Sequence, residues 1–143
     1  ARIAGEARDN GVRMGRLLGG RGHDVVCGGL GGVMEAECKG AAEAGSETIG
    51  ILPGTDIAAA NEWVTTPIAT GLGNARNVLV VRNGAAVIAI DGATGTLSEI
   101  GHALDLGRPV AGLDTHEIEL KGFETVETPE EAVEHVDRVA ARR

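Results

Sequence analysis

Twice in this chain a short run of apolar residues halts at a cluster of glycines and resumes as a helix. The first instance is DVVC at 24–27, followed by GGLGG and then VMEAECKGAAEA. The second is AAVIAI at 85–90, followed by DGATG and then TLSEIGHALDL. A continuous apolar run suits a strand whose sheet is covered on both faces, which is the usual condition of a parallel strand. Two strand–glycine–helix units therefore point to an α/β chain, a Rossmann-like three-layer sandwich with a parallel sheet.

The remaining patterns extend this alternation. Helices are expected over 4–18, stopped by Gly19 and Gly20, and over 33–44, stopped by Gly45. Others are expected over 74–82, 96–106 and 129–142, although the VLVV within 74–82 is ambiguous. The last has a full start signal: Thr128 as N-cap, Pro129 at the first helical position, then Glu130 and Glu131. Strands are expected at 24–27, 48–52, 63–66 before Pro67, 85–90 as a central strand, 108–113, and 123–126 at an edge. Residues 57–62 read as loop or a short helix. The chain opens on a helix, whereas such a sheet usually opens on a strand bearing the first ligand loop. That first strand is expected to be missing from this sequence. The 143 residues read as a single domain.

Composition narrows the function. An apolar content of 43% suits a globular chain, and aromatics at 1% leave its core to Val, Ile, Leu and Ala. The net charge of −8 weighs against a nucleic-acid binder that works by neutralising phosphates. No apolar run approaches the roughly 20 residues of a membrane span. Cys27 and Cys38 show neither CxxC nor Cys/His ligand spacing, so no metal site is expected. They read as two reduced, buried thiols of a cytoplasmic protein. His23, His102, His116 and His135 are scattered and read as surface or helix-end residues.

The two glycine clusters are the candidate ligand loops. A phosphate must approach the backbone closely, and Cβ atoms would block it. The N–H groups of the following helix then face the anion, and the helix dipole favours its charge. In open parallel sheets such loops lie at the carboxyl ends of the strands. The candidate phosphate and nucleotide contacts are Gly28, Gly29, Gly31, Gly32 and Met34 in the first loop, and Gly92, Ala93, Thr94, Gly95 and Thr96 in the second. Neither loop is a Walker A sequence, because no Gly-Lys-Ser/Thr follows, and neither fits the dinucleotide spacing. Arg76 and Asn77, within GNARN, follow a Gly-Leu-Gly at a helix start, where a guanidinium can meet a phosphate in bidentate fashion. Glu99 falls about one turn into the helix after the second loop.

These segments resemble a known family. DGATGTLSE resembles the PGGxGTxxE motif of the Lonely Guy (LOG) proteins, once labelled possible lysine decarboxylases. CGGLGGVMEA resembles that family's earlier Gly-Gly-x-x-Gly-Val-Met segment, and GNARN resembles its arginine-bearing helix. The resemblance runs from about residue 22 to residue 113. It is closer to a branch reading PIATGxGxARN and GTLSEI, similar to molybdenum-cofactor carriers and more distantly to DprA proteins. The resemblance implies Arg76 and Glu99 as an active-site pair. It also implies cleavage of the N-glycosidic bond of a nucleoside 5′-monophosphate, a reaction needing no metal or redox cofactor. The alternative it implies is a non-catalytic carrier of a nucleotide or pterin phosphate. A dimer or tetramer is implied in either case. This chain departs from the motif at Asp91 (for Pro), Ala93 (for Gly) and Asn77 (for Lys). No lysine stands out as a Schiff-base candidate for a decarboxylase.

Overall fold

The computed structural model describes residues 5–90 and 94–140. The chain forms two compact units, Ala1–Arg76 and Asn77–Arg143.

In the first unit, helix α1 (Gly5–Gly20) precedes strand β1 (Val25–Cys27), helix α2 (Val33–Glu43), strand β2 (Thr48–Leu52) and strand β3 (Thr66–Ala69). The order is β1-β2-β3, and both pairings are parallel. Residues Ile57–Ala59 form a 3₁₀ turn capped by Asp56, whose Oδ1 accepts from the Ala58 N–H at 2.9 Å. The core here is aliphatic and small, with Met14, Leu18, Val25, Ala36, Ala41, Ile51 and Leu52 buried. Helices α1 and α2 meet along small residues. A Cβ at Gly15 would lie 2.0 Å from the Glu37 carbonyl oxygen, and one at Gly40 would lie 2.1 Å from that of Val12.

The first unit ends in a 3₁₀ turn over Gly73–Arg76, and the second opens with helix α3 (Asn77–Arg82). Strand β4 (Val87–Ile90), helix α4 (Thr94–Asp105), strand β5 (Val110–Leu113), strand β6 (Phe123–Val126) and helix α5 (Pro129–Ala140) follow. The order is β4-β5-β6, again parallel. Val81, Ala89, Ile100, Ala103 and Val110 form its core, with Phe123 and Leu104 packed on it. Thr128 caps α5 as expected, its Oγ1 accepting from the Glu131 N–H at 3.2 Å.

Four expectations are corrected. The strand expected at 63–66 lies at Thr66–Ala69 and contains Pro67. Thr48 and Thr65 exchange hydroxyl–backbone bonds, including Thr48 N–H to Thr65 Oγ1 and Thr65 N–H to Thr48 Oγ1, each at 2.8 Å. The Thr65 N–H also donates to the Thr48 carbonyl at 2.9 Å, so side-chain and backbone bonds mix at this pair and regular strand begins only at Thr66, three residues later than expected. Pro67 is tolerated because β3 ends its three-stranded set, where a missing N–H costs little. The helix expected at 74–82 opens as the tighter 3₁₀ turn and is regular only from Asn77. Within the second unit the middle strand is β5, not β4, and all four of its residues are buried. Finally, His135 is not a surface residue. It lies on the inner face of α5 beside Ala132 and Val136 and is 6% exposed.

This histidine makes stability depend on pH. Its Nε2 lies 3.1 Å from Glu124 Oε2, while its buried Nδ1 has no hydrogen-bond partner among the described residues. Burial disfavours the imidazolium and pulls its pKa below 6.5; nearby Glu124 opposes this and Arg138 adds to it. The unfolded chain therefore takes up this proton at a higher pH than the folded chain does. The stabilisation is present above about pH 6.5 and is lost as pH falls through the lower folded-state pKa. Denaturant midpoints measured from about pH 7.5 to pH 5 should fall more steeply for the wild type than for His135→Gln, which keeps a neutral donor toward Glu124.

Candidate ligand site

The first loop is shaped by what its glycines exclude. Cys27 ends β1, and the chain turns at Gly28 and Gly29. A Cβ on Gly28 would lie 2.7 Å from Arg76 Nη2 and 2.7 Å from Met34 Sδ. The guanidinium and the thioether thus rest directly on the loop backbone, and only glycine leaves room for them. Gly29 has φ +76°, and a Cβ there would lie 2.7 Å from Leu52 Cδ2. Gly31 is half-buried, and Gly32 (φ 79°, ψ −139°) is the N-cap of α2, where no side chain caps the helix. The first N–H groups of α2 follow a cap residue that has no side chain to offer, the arrangement suited to an anion.

Arg76 is the buried cation of this loop, only 7% exposed. It ends the 3₁₀ turn, and its Nε donates to the Ile51 carbonyl at 3.0 Å. That bond fixes the guanidinium plane at the carboxyl end of β2, while Nη2 faces Gly28. A fork anchored in this way has little rotational freedom to lose on gripping an oxyanion.

The structure adds Asn61, which no motif had marked. Its Nδ2 donates to the Leu30 carbonyl at 2.9 Å, and its N–H donates to the Gly29 carbonyl, also at 2.9 Å. Its Oδ1 accepts from the Trp63 N–H at 2.9 Å, closing an Asx turn. Asn61 thus ties the loop to the segment that leads into β3. Its only signal in the sequence is its type, a turn former between two strands.

Of the predicted residues, Gly28, Gly29, Met34 and Arg76 come together in the first unit. Thr94, Gly95, Thr96 and Glu99 lie in the first turns of α4 in the second unit, with Thr96 and Glu99 half-buried. Their spacing puts Glu99 on one helix face with Gly95 and Thr96. Asn77 is buried at the start of α3, 4% exposed. Asp91, Gly92 and Ala93 lie outside the described residues. Among the described residues no group of three or more His, Cys, Asp and Glu side chains is placed to hold a metal ion. No described helix is long and apolar enough to cross a membrane.

Residues 2–142 match the model of the SLOG cluster4 family. The chain belongs to that family. An uncharacterised protein of Archaeoglobus fulgidus is 44% identical over 124 residues, which are 86% of this chain and 80% of that one. Among solved structures, the molybdenum cofactor binding protein of the phototrophic bacterium Rippkaea orientalis is similar at 31% identity and a TM-score of 0.90. The match covers 96% of this chain and 90% of that one. The Moco carrier protein of Chlamydomonas reinhardtii is similar at 29% identity and a TM-score of 0.91, covering 100% and 93% of the two chains. The Rossmann-like character of this SLOG chain agrees with these likenesses, and the resemblance to carrier proteins seen in its motifs extends over nearly its whole length.

Proposed function

We propose that this SLOG protein binds and carries a small phosphate-bearing cofactor of the molybdenum–pterin kind and leaves it chemically unchanged. The observation that carries the reading is the packing of Arg76 and Met34 on the backbone at Gly28, beside the uncapped start of α2. That loop offers an oxyanion a fixed guanidinium and helix N–H groups. Met34 offers a polarisable surface to a flat heterocycle. The similar proteins from Rippkaea orientalis and Chlamydomonas reinhardtii support the choice of ligand.

A second reading, the phosphoribohydrolase, keeps one observation in its favour: Arg76 and Glu99 both occupy the positions of the enzyme motif. In it, Glu99 would stabilise positive charge developing on the ribose. Against it stand Asp91, which puts a negative charge in an anion loop, Ala93, which adds a methyl, and Asn77, which removes a cation. The readings separate on incubation with AMP, CMP and GMP and their ribosides, following free base by chromatography. The carrier reading expects no free base above the level of Glu99→Gln. Base released from a monophosphate by the wild type and lost in Glu99→Gln would overturn it.

A further inference from the structure

We infer that Cys27 and Cys38 are an oxidisable pair that, when joined, staples the ligand loop and weakens its grip on ligand. The two sulfurs lie 3.4 Å apart, already in contact, and bridge eleven positions of chain. Cys27 is the last residue of β1, and Cys38 is on the inner face of α2. The segment they would close therefore contains Gly28 through Gly32 and Met34, the whole first loop. Both side chains are buried, Cys38 completely, whereas Cys27 keeps 6% exposure. A water-sized hydroperoxide is thus the class of oxidant that fits, and Cys27 is the sulfur it meets first.

The chemistry balances in two steps. The Cys27 thiolate attacks one peroxide oxygen, the O–O bond breaks, and after proton transfer the products are a sulfenic acid and water for hydrogen peroxide. The Cys38 sulfur then attacks the Cys27 sulfur, the S–O bond breaks, and a second water leaves. Two thiols and one peroxide yield one disulfide and two waters.

The bond draws the sulfurs from 3.4 Å to about 2.05 Å, the usual disulfide length. The loop has no slack to absorb this. The Gly29 N–H donates to Cys27 Sγ at 3.3 Å, and Cβ positions on Gly28 and Gly29 are already filled by Arg76, Met34 and Leu52. Movement at Cys27 is therefore passed to the backbone on which Arg76 rests. The effect on ligand rests on the carrier reading; the cross-link does not.

The test oxidises the reduced protein with hydrogen peroxide and maps it after cleavage at Glu35, which separates the two cysteines. The expected result is that the Cys27 and Cys38 fragments stay joined until a thiol reductant is added, with any oxygen gained confined to the methionines. In Cys38→Ala, Cys27 should instead gain oxygen and form no link. Molybdenum cofactor affinity should fall about tenfold on oxidation and return on reduction, a coupling of ordinary allosteric size. Oxygen accumulating on wild-type Cys27 without a link, or no reaction at either cysteine, would overturn the pair. Equal affinity of both forms would overturn the coupling. If neither form binds cofactor, the carrier reading fails while the cross-link, seen by mass, stands.

Discussion

Replacing Gly40 by alanine is expected to destabilise the fold by about 2–4 kcal/mol, even though alanine is the better helix former. Two effects compete. Removing a glycine from a helix interior gains roughly 1 kcal/mol. Against this, the new methyl would sit 2.1 Å from the Val12 carbonyl oxygen and 2.7 Å from the Arg16 nitrogen. Both are backbone atoms of α1, so no rotamer change relieves the overlap and the helices must move apart. Gly15→Ala should behave alike, since its Cβ would lie 2.0 Å from the Glu37 carbonyl oxygen of α2. The double variant should cost less than the two costs added, because the first separation makes room for the second methyl. Gly101→Ala is the control: it is a helix-interior glycine with nothing within 4 Å of its Cβ position, and it should be neutral or stabilising. Urea unfolding of the four proteins checks the order. A Gly40→Ala protein as stable as Gly101→Ala would contradict the packing described.

Gly28→Ala should cost binding more than stability. The atoms its methyl would displace, Arg76 Nη2 and Met34 Sδ, are the ends of flexible side chains. The fold should therefore lose less than in Gly40→Ala, although the anchored Arg76 has to shift. On the carrier reading the ligand should lose far more, because the displaced group is the buried guanidinium proposed to grip it. Loss of one partner of a buried charged contact costs about 2–5 kcal/mol, so affinity should fall about 30-fold or more. Thermal melts with and without molybdenum cofactor separate the two effects. A near-native melting temperature with the ligand-induced rise abolished is the expected pattern. A normal rise in Gly28→Ala would remove Arg76 from the site.

Local physics explains which features could be read from sequence. β2 at Thr48–Leu52 and β6 at Phe123–Val126 are found where they were expected, because β-branched and apolar residues there are bounded by turn formers. The start of α5 was legible because a cap and a helix-start proline act within one turn. The displaced β3 was not, because its start depends on Thr48, seventeen residues from Thr65. His135 was misplaced because one titratable residue says little unless its whole helix face is considered. In the candidate site, the glycine clusters and Arg76 stand out in the sequence through their motifs. Its anchor at Ile51, the Asn61 ties to Gly29 and Leu30, and the fit of Gly15 and Gly40 between helices arise from contacts distant in sequence. No local pattern records them.

The most direct test of the carrier account is retention and hand-over of the cofactor. Molybdenum cofactor freshly released from a molybdoenzyme would be incubated with the reduced protein or with Arg76→Gln, passed through a desalting column, and offered to a cofactor-free molybdoenzyme. The account predicts that wild-type protein brings pterin and molybdenum through the column together and restores the acceptor's activity, while Arg76→Gln brings through little of either. Wild-type protein emerging without pterin, or Arg76→Gln retaining it equally well, would contradict it.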